Sequence, residues 1–152
     1  MSENISLRVL RIVPGTSVDG PGLRTSIYFA GCRHHCKGCH NPESWDLEGG
    51  ELMSLKEIMN RIKEEGFNVT FSGGDPIVQV GPLTELAKLI RQEGFNIWLY
   101  TGYTIEQLLQ MPEAADLLTY VNTIVDGQFV QEKRDISLCF RGSSNQRIIN
   151  LR

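Results

Sequence analysis

Three thiols fall within eight residues in the run Cys32-Arg33-His34-His35-Cys36-Lys37-Gly38-Cys39. Sulfur at this density is a metal or redox device rather than a disulfide framework. A spacing of three residues and then two lets one loop wrap three corners of an iron–sulfur cubane, and Gly38 permits the tight turn before the last thiolate. Cys32, Cys36 and Cys39 would hold a [4Fe–4S] cluster with one iron left open to a small chelating molecule. A structural zinc site is the rival reading, with His34, His35, His40 or Cys139 as fourth ligand. Zinc sites usually pair their ligands across two knuckles, and no second knuckle is present. Three core thiols without metal are a third reading, which the surrounding His, Arg and Lys residues disfavour.

The elements that must position this loop read as alternating strands and helices. A β-rich apolar segment runs from Thr25 to Ala30 and ends at Gly31-Cys32. Ser54-Leu55-Lys56-Glu57 is a capping box, followed by Leu55, Ile58, Met59 and Ile62 on one helical face and by Gly66 as a stop. The next strand covers Asn68 to Phe71 and leads into Ser72-Gly73-Gly74-Asp75-Pro76. A helix opening near Pro82 places Leu83, Leu86, Ala87 and Ile90 together and stops at Gly94. A strand from Asn96 to Tyr100 ends at Thr101-Gly102. Thr104-Ile105-Glu106-Gln107 is a second capping box, its helix interrupted at Pro112. Tyr120 to Val125 reads as a strand ending at Asp126-Gly127, and Ile136 to Phe140 as the last one.

Glu65-Gly66-Phe67-Asn68-Val69 recurs as Glu93-Gly94-Phe95-Asn96-Ile97, 28 residues on, about the length of one βα unit. Alternation of this kind implies a mostly parallel sheet with right-handed crossovers. Too few units are present to close an eight-stranded barrel, so the expected α/β architecture is an open partial (β/α) barrel, with residues 1–152 as one domain. The loops at Gly31-Cys32, Ser72-Gly73, Thr101-Gly102 and Asp126-Gly127 then gather at the C-terminal edge, where such sheets build their sites.

The bulk composition narrows the class. With 15 basic and 18 acidic residues the net charge is −3, which gives no footprint for nucleic acid. No apolar run is long enough to cross a bilayer, and Met1-Ser2-Glu3-Asn4 lacks the start of a signal peptide, so the expectation is a cytoplasmic protein without a membrane partner.

The Cys-x3-Cys-x2-Cys loop at a strand end resembles the signature of the radical S-adenosylmethionine superfamily, and Ser72-Gly73-Gly74-Asp75-Pro76 is similar to that family's GGD/E-P segment. More narrowly, Asp19-Gly20-Pro21-Gly22-Leu23-Arg24, Cys39-His40-Asn41-Pro42-Glu43-Ser44-Trp45, Tyr100-Thr101-Gly102-Tyr103, Val125-Asp126-Gly127-Gln128-Phe129 and Arg141-Gly142-Ser143-Ser144-Asn145-Gln146-Arg147 resemble the activating enzymes of anaerobic (class III) ribonucleotide reductases. Many superfamily members carry an aromatic residue just before the third cysteine. Gly38 stands there in this chain, so His40 is the nearest planar side chain for the adenine.

The resemblance implies an oxidoreductase that binds a [4Fe–4S] cluster and S-adenosylmethionine, with Cys32, Cys36 and Cys39 on the iron. Gly38, Cys39, His40, Ser72, Gly73, Gly74 and Asp75 would surround the nucleoside and methionine parts of the ligand. It further implies reductive cleavage to a 5′-deoxyadenosyl radical, hydrogen abstraction from a glycine of the anaerobic ribonucleoside-triphosphate reductase, and a flavodoxin-type electron donor. An activase of another glycyl-radical enzyme and a radical enzyme acting on a small molecule are the alternatives. Around this core, Arg24, Arg33 and Lys37 are expected near the mouth, Asp126 on ribose hydroxyls or capping a turn, and Cys139 buried as a small apolar side chain. The terminal segment reads either as a polar turn followed by an edge strand from Arg147 to Leu151, or with Arg141 to Gln146 shaping the site or a partner surface.

Overall fold

The computed structural model describes residues 5–34 and 45–152. Its strands are β1 (Ser6–Thr16), β2 (Arg24–Phe29), β3 (Glu51–Ser54), β4 (Asn68–Gly73), β5 (Ile97–Tyr100), β6 (Thr123–Asp126) and β7 (Arg147–Asn150). Among the described residues these form one seven-stranded sheet in the order β3-β1-β2-β4-β5-β6-β7. The inner strands β2, β4, β5 and β6 run parallel, as the alternation requires. Antiparallel strands extend both sides: β1 on β2, β3 on β1, and β7 on β6. The sheet is therefore mixed, with a parallel centre.

The helices are α1 (Leu55–Glu65), α2 (Val80–Gln92), α3 (Ile105–Leu109) and α4 (Pro112–Leu118). Both capping boxes form: Ser54 and Glu57 exchange hydrogen bonds at the start of α1, as do Thr104 and Gln107 at α3. Each satisfies amides that the first turn leaves without a partner. Pro112 opens α4 at a position that needs no N–H. A single 3-10 turn, Pro76–Gln79, brings the chain into α2 two residues before Pro82.

Alternate strand residues Ile27, Phe29, Val69, Phe71, Ile97, Leu99 and Ile124 face the helices and are fully buried against Leu55, Ile58, Ile62, Leu83, Leu86 and Ile90. Strand alternation puts Arg24, Tyr28, Thr70, Trp98 and Tyr100 on the opposite face. The internal echo marks equivalent joints. Val69 pairs with Ile97 in register, Gly66 and Gly94 have φ of 76° and 89°, and the Asn96 amide donates to Asn68 Oδ1 at 2.9 Å.

Two expectations about strands change. The strand leading to Cys32 is the second, because β1 precedes it, its alternation broken by register shifts between Val9 and Arg11 and between Val13 and Thr16. Ile136 to Phe140 is not a strand. Asp135 folds that segment into a turn by accepting from the Ser137 amide at 2.9 Å, Phe140 has φ of 60°, and Ile136 is 89% exposed. The final strand is β7, close to the expected edge strand.

Candidate functional site

Cys32 lies three residues beyond the end of β2 and is half-buried, with its backbone amide donating to the Trp45 carbonyl at 3.3 Å. The turn after β4 folds onto this strand end: the Gly74 amide donates to Phe29 O at 2.9 Å and the Asp75 amide to Gly31 O at 2.7 Å. Ser72 and Gly73 are the last residues of β4, in register with Tyr28 and Phe29. A Cβ on Gly73 would meet the Phe29 backbone at 2.3 Å, and its φ is 108°, so only glycine lets the strands end this close together.

Asp75 is 1% exposed and ties three strand ends into one edge. Its carboxylate accepts from the Ile77 amide at 3.0 Å, from Thr101 Oγ1 at 2.9 and 3.0 Å, and from the Gly102 amide at 2.8 Å. His34 Nε2 lies 2.6 Å from Asp75 Oδ2. The fourth strand joins through the Gly127 amide, which donates to Tyr103 O at 3.0 Å, and through Gln128 Nε2, 3.0 Å from His34 Nδ1. The four loops expected at the C-terminal edge do gather there. Cys36, Lys37, Gly38, Cys39 and His40 lie outside the described residues.

The Arg141 to Gln146 segment braces the β6 end of this edge. Asn145 Nδ2 donates to Gln128 O at 2.8 Å and Gln146 Nε2 to Gly127 O at 3.0 Å. Gln146 Oε1 accepts from the Gly142 and Ser143 amides, and the buried Ser143 hydroxyl donates to Asn145 Oδ1 at 2.7 Å. Beside it lies an open cavity of about 450 Å³ lined in part by Gly102, Glu106, Gln128 and Arg147. Arg33 is exposed and borders another of about 460 Å³, with Ile77, Tyr103 and Met111.

Arg24 and Cys139 lie away from their expected places, and Asp126 takes a capping role. Arg24 sits at the start of β2, the edge opposite the loops, 3% exposed, and donates to Thr70 Oγ1, Val69 O and Asn96 Oδ1 at 2.7–2.8 Å. Burial pushes its guanidinium down to about 10, and the Trp98 ring lies 5.9 Å away. Asp126 is fully buried and accepts from the Ile105 amide at 2.8 Å, capping α3, and from Arg147 Nε at 3.0 Å. Its carboxylate takes the capping role, and Asp126 also lines the cavity beside Gly102 and Gln128. Cys139 is exposed rather than buried, because the Asp135 turn carries it away from the sheet.

Sequence reasoning gave His34 only as a fourth ligand in the zinc reading and assigned no separate role to Gln128, Thr101 or Gly102, although motif segments containing them were visible. The missing signal is pairing across 26 to 94 residues of chain, which spacing does not encode.

A soft sulfur donor, half-buried just past the end of a parallel strand, where Gly73 brings the neighbouring strand end close, fits an iron–sulfur group. Comparison with known proteins agrees. The chain matches the family model described as "4Fe-4S single cluster domain" over residues 18–149. It is 36% identical over 150 residues to the anaerobic ribonucleoside-triphosphate reductase-activating protein of Haemophilus influenzae, covering 92% of this chain and 96% of that one. To the protein of the same name from Escherichia coli K12 it is 39% identical over 152 residues, covering 91% and 96%. A shorter match, 39% over 69 residues, covers 41% of this chain and 29% of the pyruvate formate-lyase-activating enzyme of Clostridium pasteurianum. In fold it resembles the crystal structure of QueE from Escherichia coli, with a TM-score of 0.54 and 18% identity over 65% of this chain and 53% of that one.

Proposed function

Since the chain belongs to the family of anaerobic ribonucleoside-triphosphate reductase-activating proteins, we propose that it installs the glycyl radical of that reductase. The observation that carries this reading is the meeting of all four parallel-strand ends around the Cys32 loop, in a chain matched to these activases along nearly its whole length.

In this reading Cys32, Cys36 and Cys39 hold the cluster. Gly38, Cys39 and His40 flank the nucleoside of S-adenosylmethionine, and Ser72, Gly73, Gly74 and Asp75 supply the turn that receives its methionine end. When bound there, the cluster and S-adenosylmethionine would supply one-electron reductive cleavage of a sulfonium, with the electron from an external donor, the chemistry that would permit hydrogen abstraction from a glycine Cα of the reductase. The chain's own residues bind, orient and exclude water. Gly73 brings the β4 turn against β2, and Asp75 fixes the turns after β4 and β5 relative to the cysteine loop. Further parts of the proposal are a flavodoxin-type donor, action in the cytoplasm as one domain, and curvature of the parallel centre into an open partial barrel whose mouth admits the reductase loop. No helix among the described residues is long and apolar enough to cross a membrane.

Anaerobic reconstitution with iron and sulfide, reduction, and addition of S-adenosylmethionine and the reductase test the reading. A glycyl doublet in electron paramagnetic resonance is expected, with release of 5′-deoxyadenosine. Cys32→Ala should abolish both. An intact cluster that gives no doublet would refute the target. The partial match to pyruvate formate-lyase-activating enzyme supports a second reading, activation of another glycyl-radical enzyme. A doublet on pyruvate formate-lyase but none on the reductase would favour it.

A further inference from the structure

His34 stands between the first two cysteines, where its side chain has no part in holding iron through sulfur. Four features converge on its ring. Nε2 lies 2.6 Å from the buried Asp75 carboxylate, and Nδ1 lies 3.0 Å from the side-chain amide of Gln128. Tyr103 packs edge-on, with ring centroids 4.6 Å apart. A Cβ on Gly102 would come within 2.5 Å of the ring, so this glycine leaves the space that the imidazole fills. A carboxylate only accepts, so Nε2 is the donor in its contact with Asp75.

We infer that His34 is the positioning residue that fastens the cysteine loop to the ends of β4, β5 and β6, through Asp75 Oδ2, the space at Gly102 and Gln128 Nε2. Backbone bonds also tie the loop, among them Cys32 N to Trp45 O and Asp75 N to Gly31 O. Without the imidazole, the loop would lose its side-chain ties to the ends of β4, β5 and β6. The Arg141 to Gln146 segment acts on the same ring indirectly, because Asn145 holds the Gln128 carbonyl. Outer groups that orient metal ligands usually matter about 10- to 100-fold for metal retention.

This inference rests on the cluster reading of the cysteines, and iron retention separates the two. Reconstituted protein is mixed anaerobically with a strong ferrous chelator, and iron release is timed alongside the spectrum of the reduced cluster. His34→Ala should release iron about tenfold faster or more and change the line shape. His34→Gln, which keeps a donor for Asp75, should recover part of the loss. Gly102→Ala should reproduce the defect in the wild-type background and add nothing to His34→Ala, since no ring remains to displace. Wild-type release from His34→Ala, or an additive Gly102 effect, would overturn the inference and leave the cluster reading standing. Failure of the wild-type protein to take up a cluster would overturn both. Should His34→Ala unfold, Gln128→Ala decides. Its side chain is exposed, so the fold should survive; faster release supports the clamp and unchanged release refutes it.

Discussion

Asp75 takes hydrogen bonds from Ile77, Thr101 and Gly102 and meets His34, so its carboxylate works within the protein edge. Its importance to a bound ligand is then the placement of the turn that carries it. Asp75→Ala would leave the Thr101 hydroxyl and the Gly102 amide without their acceptor, at a cost of about 1–3 kcal/mol. A lowered midpoint in denaturant, together with faster iron loss, is the expected result. Full stability in that variant would show that the network contributes nothing. Cys32 and Cys139 are a contrast at the same scale: one thiol is half-buried at the strand edge, the other exposed on a turn that Asp135 folds locally. Residue type alone assigns them the same chemistry, and position separates them.

Among the elements, α3 and β7 are joined by charge. Arg147, the first residue of β7, ion-pairs with Glu106 on α3 at 2.6 Å and with the buried Asp126 at the end of β6. Both partners hold its guanidinium above the usual arginine range. The hydrogen bond to the α3 amide lets the same Asp126 carboxylate cap a helix and anchor an edge strand. Arg147→Ala would leave a buried carboxylate without its cation, with an expected loss of about 3 kcal/mol. Urea unfolding checks it, and a change within error would mean that the Ile105 amide alone suffices.

For the molecule as a whole, the helices cover one face of the sheet, and the proposed site lies at the edge where the parallel strands end. The chain from Arg141 to Gln146 joins that edge from far away in sequence, so global stability and site order are linked. One linkage is measurable through pH. The Arg147 guanidinium holds the Glu106 carboxyl down at about 2, against an ordinary 4.5. That pair therefore favours the folded state above pH 4.5, and its contribution fades as pH falls from 4.5 toward 2. Wild type should exceed Glu106→Gln in stability near neutrality, and the gap should close across that window. A gap independent of pH would refute the assignment.

The capping boxes, the apolar stripes of α1 and α2, the βα echo and the strand-end placement of Cys32 are local properties, and residue types within a few positions determine them. The sequence by itself thus determined the alternating architecture, the gathering of the four loops at one edge and the family whose motifs it carries. It was silent on the bulged β1, wrong about Ile136 to Phe140, and wrong about the end of the sheet that holds Arg24, because the local turn of Asp135 and the desolvated contacts of Arg24 with Thr70 and Asn96 override pattern. Only the tertiary structure decided that His34, Asp75, Gly102 and Gln128 belong to one contact. A hydrogen bond forms between atoms about 3 Å apart, and four strand ends reach that distance only after the sheet has assembled.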